Sequence, residues 1–283
     1  MKRNFDLYSE KRFYHVIIKV PDNTRGNNTY AFDRSHKTKL RELLFWLESI
    51  YEVQCVNYCI MSTHAHFVIR WERDSKLSLK RVAYRYKKYK SLEQVPDARS
   101  CEVRQFAKRL NNMSDFMANL QKRFTAWYNS QFEKSRRGQL FNHCYKAIQL
   151  NNTKALIRCL QYVELNPLRA QMVVDAADYE FSSWSDICRA SDRKKALRTG
   201  IINALKDFGM AGSSDAELFK AYAHDLIKMS QSIEKYGDCQ SLDKDLVMFL
   251  MRRNDFWSSG RSISIVKHEV IIKKNKTQQV IFA

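Results

Sequence analysis

The chain has 283 residues, 45% of them hydrophobic, which is enough to build a sizeable core in one large domain or in one domain with an appendage. Lys and Arg number 49 against 30 acidic residues, a formal net charge of +19 and a pI near 9.6, so a polyanionic partner is expected and nucleic acid leads. That composition excludes a disordered chain, and no run reaches the roughly 18 uninterrupted apolar residues of a membrane-spanning helix.

The first residues, Met1-Lys-Arg-Asn-Phe-Asp6, are charged and lack the apolar core of a signal peptide, so export and a membrane partner are not expected. Seven cysteines contain no Cys-x-x-Cys pair and read as buried thiols of a reducing cytosol.

In chain order, Phe13 to Val20 is rich in β-branched and aromatic residues and predicts a first strand, ended by the turn chemistry of Pro21-Asp-Asn-Thr-Arg-Gly-Asn-Asn28. His15 in that strand reads as a satisfied sheet histidine. Asp33 to Ser49 carries Leu40, Leu43, Leu44 and Leu47 at helical spacing and predicts an amphipathic helix. Val53 to Met61 and His64 to Trp71 predict an antiparallel hairpin, because the turn between them is too tight for a crossover. On the second strand His64, His66 and Val68 share one face. Two imidazoles projecting together make the first half of a metal site, although an exposed alternating strand whose histidines merely face solvent gives the same pattern.

After Asp74 the pattern returns to helix, with Lys80, Arg81, Arg85, Lys87, Lys88 and Lys90 interleaved with Tyr84, Tyr86 and Tyr89. From Lys80 to Lys146 there are 16 basic and 5 acidic residues, so the charge is localised. Cations among tyrosines suit phosphate contacts beside base stacking, and a solvated helix face is the plainer alternative. A further helix is predicted over Phe116 to Phe132. A basic loop follows at Lys134-Ser-Arg-Arg-Gly138, with Arg136 and Arg137, and then a strand over Leu140 to Ile148.

Asn151, Asn152 and Thr153 are N-cap candidates for a helix that should end near Asn166, because Pro167 disfavours helical backbone before it. The order strand, helix, strand, strand, helices, strand, helix predicts an α+β fold with a ferredoxin-like split βαβ antiparallel sheet and helices on one face. From about Arg189 charged amphipathic segments (Lys195 to Phe208, Ala216 to Ile233, Leu242 to Arg253) and an alternating tail from Ser262 to Phe282 predict a mostly helical appendage. The expected division is therefore 1–188 and 189–283.

Within Gln161-Tyr-Val-Glu-Leu-Asn-Pro167, Tyr162 and Asn166 lie four residues apart on one helical face and could offer a phenolic and an amide oxygen to the histidines. Singly, each has a plainer role, as a half-buried tyrosine and a helix C-cap. Glu164 points off that face and reads as structural. No Gly-x-x-x-x-Gly-Lys loop is present, so a nucleotide cofactor is not expected.

His64-Ala-His66 resembles the His-hydrophobic-His motif of HUH endonucleases, and Tyr162-Val-Glu-Leu-Asn166 resembles the single-tyrosine motif of their transposase branch. Gln139-Leu-Phe-Asn-His-Cys-Tyr-Lys-Ala-Ile148, Gln161 to Val173 and Asp178-Tyr-Glu-Phe-Ser-Ser-Trp184 extend the likeness to the REP-associated tyrosine transposases, over roughly Phe13 to Trp184. The resemblance implies the HUH endonuclease fold, a catalytic Tyr162, and Mg²⁺ or Mn²⁺ held by His64, His66 and Asn166, the last standing where many relatives have glutamine.

It also implies single-stranded DNA carrying hairpins or palindromic repeats as substrate, a 5′-phosphotyrosine intermediate, a monomer or homodimer, and a bacterial cytoplasmic, nucleoid-associated setting. Lys146 and Arg169 are expected to contact phosphate. The alternative on the same fold is a catalytically silent protein that binds DNA or RNA hairpins.

Overall fold

The computed structural model describes residues 11–21, 32–72, 77–132, 137–141, 144–189, 191–210, 212, 214–236, 262–266, 269–274 and 277–282. The chain divides into two compact units, one of residues 1–55 and 60–149, the other of residues 56–59 and 150–283. The expected boundary at 188/189 does not coincide with this division, because α7 (Ser183–Cys188) packs on α8 (Lys194–Asp207) and α5 (Thr153–Glu164) also meets α8.

In the first unit β1 (Lys11–Lys19) has Phe13, Tyr14, His15 and Val16 buried in succession, so both of its faces are covered. α1 (Arg34–Glu48) starts at Asp33, whose carboxylate accepts the His36 N–H at 2.9 Å while His36 Nδ1 accepts the Asp33 N–H at 3.3 Å. This is a capping box with histidine in the usual glutamate place. Leu40, Leu44 and Leu47 form its buried stripe.

β2 (Val53–Ile60) and β3 (His64–Glu72) follow, and three connecting residues force them antiparallel. β3 pairs antiparallel with β1 in a register that sets Ile17 opposite His66 and Lys19 opposite His64. β4 (Lys146–Leu150) completes a sheet of order β2-β3-β1-β4, so α1 carries the chain from β1 past β3 to β2, as the split βαβ reading requires. The expected strand over 140–148 is shorter and later. Leu140, Phe141 and Tyr145 are buried through their side chains, and such an apolar run mimics a strand without joining the ladder.

α2 (Leu79–Lys90) packs on α3 (Cys101–Leu110), and α4 (Met113–Ser130) packs on α1. Among the described residues no helix is long and apolar enough to cross a membrane.

In the second unit Asn152 caps α5 by accepting the Ala155 N–H at 2.8 Å. α5 ends at Glu164, and the chain resumes helical geometry at once in α6 (Asn166–Arg169), where Pro167 sits in a first turn whose N–H groups need no helical acceptor. A 3-10 turn (Ala176–Asp178) leads to α7, and α8 and α9 (Asp215–Tyr236) match two of the expected amphipathic segments. The predicted helix over Leu242 to Arg253 lies outside the described residues.

Among the described residues the region after 188 is mostly helical, in α8 and α9, and its alternating tail forms strands. β5 (Ser262–Val266), β6 (Glu269–Lys274) and β7 (Thr277–Phe282) form an antiparallel three-stranded sheet of their own, which is what the period-two alternation of Ser-Ile-Ser-Ile-Val specifies.

Candidate active site

Alternation along β3 places His64 and His66 on one face, and both are buried, at 8% and 2% exposure. That removes the reading in which they only face solvent. Their ring centres lie 4.9 Å apart with the planes at 85°. The Thr63 hydroxyl lies 3.1 Å from His64 Nδ1, and His15 Nε2 lies 3.0 Å from His66 Nδ1. Each imidazole therefore has Nδ1 engaged within the fold, which makes Nε2 the nitrogen through which each would ligate a cation.

His15 is fully buried, and that burial lowers its pKa from 6.5 to about 4. It is a satisfied sheet histidine, as the sequence predicts, and strand register makes His66 its partner: His15 shares the parity of Ile17, which stands opposite His66, a pairing that no linear pattern signals.

Among the described residues no group of three His, Cys, Asp or Glu side chains is placed to hold a metal. The imidazole pair offers two nitrogen donors, to which a bound cation would have to add oxygens from elsewhere. Nitrogen-plus-oxygen sets of this kind suit Mn²⁺ better than Mg²⁺, which prefers oxygens throughout.

The second unit holds Tyr162, Asn166 and Arg169 together. Tyr162 is 4% exposed, and the Arg169 guanidinium lies 5.3 Å over its ring. Burial pushes the Tyr162 phenol above its ordinary range, while Arg169 and the Asn166 side chain pull it back down. Asn166 itself is buried and opens α6.

Glu164, two residues on, is fully buried. It accepts from the Ser183 hydroxyl at 2.8 Å, from the Trp184 N–H at 2.8 Å and from Asn57 Nδ2 at 3.3 Å, consistent with its structural reading. Burial nevertheless raises its carboxyl to about 7.

The basic residues expected to meet DNA divide by exposure. Lys80, Arg81, Lys88, Arg137 and Lys146 are exposed, and Lys87 and Arg169 are half-buried. Arg85 donates to the Ile50 and Tyr51 carbonyls at 2.9 and 3.1 Å, and so ties α2 to the end of α1. Arg136 lies outside the described residues.

Of the interleaved tyrosines, Tyr86 and Tyr89 pack on Phe106 of α3, and Tyr84 is 65% exposed. A cleft of about 330 Å³ lined by Glu48, Glu52, Arg70 and Glu72 contains none of the histidines. The expectation of uniformly buried thiols is corrected: Cys55, Cys59 and Cys159 are buried, but Cys101 and Cys188, at helix ends, and Cys144, in the segment before β4, are exposed, and Cys239 lies outside the described residues.

No family model matches the chain, and no curated protein matches it. A solved structure of a REP-associated tyrosine transposase bound to a REP hairpin is similar at 13% identity and a TM-score of 0.43, over 67% of this chain and 87% of that one.

Proposed function

We propose that the chain is a metal-dependent single-stranded DNA nickase and strand transferase of the HUH single-tyrosine type, acting on hairpin-bearing DNA. The observation that carries the reading is the histidine pair on β3. Both rings engage Nδ1 within the fold, as ligands bound through Nε2 do.

His64 and His66, with Asn166 as the expected third ligand, would hold a divalent cation, which would supply neutralisation of charge on the scissile phosphate. Tyr162 Oη attacks phosphorus, the bond to the 3′ oxygen breaks, and the phenolic proton leaves while the 3′ oxygen gains one. The product is a 5′-phosphotyrosine and a 3′-hydroxyl. The bond energy is conserved, so a second 3′-hydroxyl can attack the adduct and rejoin strands without a nucleotide cofactor. Arg169, beside the phenol ring, favours its anionic form. The exposed cations of α2 and Lys146 contact the phosphate backbone.

The test is incubation of a labelled hairpin-bearing single strand with the protein and Mn²⁺. A covalent adduct on a denaturing gel is expected, lost with chelator and lost in Tyr162→Phe. An adduct that survives Tyr162→Phe refutes the assignment of the nucleophile. The depth at which Tyr162 is buried favours a second reading, a hairpin-binding protein without cleavage. Affinity for the hairpin with no adduct from the unaltered chain selects that reading. Competition by RNA hairpins separates a DNA from an RNA partner, since a tyrosine nucleophile needs no 2′-hydroxyl.

A further inference from the structure

We infer that His15 is the positioning residue that fixes the tautomer and the ring orientation of His66, so that His66 Nε2 carries the lone pair a divalent cation needs. The inference rests on the metal-binding reading of His64 and His66 above. Its geometry is that of an in-plane hydrogen bond. The two ring centres are 5.1 Å apart and the planes differ by 28°, while the nearest nitrogens are 3.0 Å apart. The centre-to-centre spacing exceeds the nitrogen separation by only 2.1 Å, about two ring radii, as for rings meeting edge to edge. Face-to-face stacking would instead hold the nitrogens and the centres at similar distances.

A bond between two imidazole nitrogens has one proton, and its place decides what the outer nitrogens can do. With the proton on His66 Nδ1, that atom donates to His15 Nε2, His66 Nε2 is a lone-pair donor, and His15 keeps its proton on Nδ1. With the proton on His15 Nε2, His66 Nε2 bears hydrogen and cannot ligate. Cation binding selects the first arrangement, and His15 stabilises it by accepting.

The register holds the pair. Ile17 stands opposite His66 across the β1–β3 ladder, and His15, two residues earlier, emerges on the same face one pleat along. Thr63 plays the matching part for His64 through the adjacent turn. The histidine pair is thus oriented by one side chain from a neighbouring strand and one from the preceding loop.

Glutamine at 15 places an amide oxygen near where His15 Nε2 stands and can accept the same bond. Leucine fills the buried volume without an acceptor. The experiment is a Mn²⁺ titration of the full chain, read by the electron paramagnetic resonance of unbound Mn²⁺, for the unaltered protein, His15→Leu and His15→Gln. It is paired with long-range ¹H–¹⁵N spectra of the imidazoles recorded without metal.

Loss of a supporting partner of this kind typically weakens metal binding about 10- to 100-fold. The expected result is weakening in that range for His15→Leu and recovery to within a few-fold for His15→Gln. The unaltered protein should show His66 Nε2 as the unprotonated nitrogen. Equal Mn²⁺ affinity in a His15→Leu protein whose melting curve shows it folded overturns the inference, and so does a protonated His66 Nε2 in the metal-free spectrum. If the unaltered chain binds no Mn²⁺, the metal reading itself fails, and the metal-free spectrum still decides whether His15 sets the tautomer.

Discussion

Replacing Glu164 by glutamine tests whether burial or hydrogen bonding governs the carboxylate that anchors the turn carrying Tyr162. Three donors aim at it, and donors favour the ionised form. Complete burial acts against them and is the larger effect, raising the carboxyl from 4.5 to about 7. A carboxyl that is easier to protonate in the folded state contributes stability that is full below pH 4.5. That contribution is lost as pH rises through 7, and amounts to roughly 3 kcal/mol in all.

His15 works in the opposite sense. It is held neutral by burial, with its pKa lowered from 6.5 to about 4, and it contributes stability present above 6.5 and lost as pH falls through 4, again roughly 3 kcal/mol. Between pH 4.5 and 6.5 the two slopes oppose each other, so these groups leave the unaltered protein with almost no net pH dependence there.

Glu164→Gln removes one slope and exposes the other. Its stability should rise with pH at roughly 1.4 kcal/mol per pH unit from 4.5 to 6.5. An amide nitrogen facing one of the three donors adds a pH-independent cost of about 1–3 kcal/mol. The assay is urea denaturation followed by circular dichroism at pH steps from 4.5 to 8. The advantage of the unaltered protein, about 1–3 kcal/mol at pH 4.5, should fall by roughly 3 kcal/mol across that range, so that the variant equals or overtakes it by pH 8. A difference constant to within about 0.5 kcal/mol would mean that the donors overcome burial and that the carboxylate stays ionised throughout.

Arg85→Ala should lower stability by roughly 2 kcal/mol in the same denaturation assay, because its guanidinium serves the Ile50 and Tyr51 carbonyls; Arg81→Ala, at an exposed position, should leave stability within about 0.5 kcal/mol. Hairpin DNA affinity should fall steeply with salt, and each α2 phosphate contact removed, as in Arg81→Ala or Lys88→Ala, should reduce the slope of log affinity against log salt by about 0.7, as measured by fluorescence anisotropy. Asn152→Ala should cost about 1 kcal/mol by uncapping α5, read by the same urea titration.

The elements legible in the sequence were those with strong periodicity and an explicit end signal. Asp33 and Ser49 bracket α1 as its spacing of leucines required, and the tight turn before His64 made the hairpin unavoidable. The His15–His66 bond was not legible, because it depends on which residue of β1 stands opposite which residue of β3, and a linear pattern carries no register. The part played by Arg85 was hidden for a similar reason. A basic helix looks the same from its sequence whether a guanidinium meets a phosphate or the carbonyls of a neighbouring helix end. The alternation from Ser262 to Phe282 is a pattern of period two, and it stands as a sheet beside the helices of the same region.

Electrostatics also separate Tyr162 from its neighbours without appeal to any motif. Among the described residues of the second unit, Tyr162, Tyr179 and Tyr222 are all buried phenols whose acidity burial suppresses. At Tyr179 the buried Cys59 adds to that effect, and at Tyr222 Glu164, Cys159 and Asp225 all disfavour a further negative charge. At Tyr162 Cys159 and Cys59 act in that same direction, while a cation, Arg169, and an amide, Asn166, act to restore its acidity. A phenol that attacks phosphorus must shed its proton during the step, so under the proposed function Arg169 and Asn166 would oppose the burial that disfavours the Tyr162 anion. Tyr162 and Arg169 stand seven residues apart, where α5 gives way to α6. The segment that spans the end of α5 and the whole of α6 thus supplies both the phenol and the cation that supports its anion.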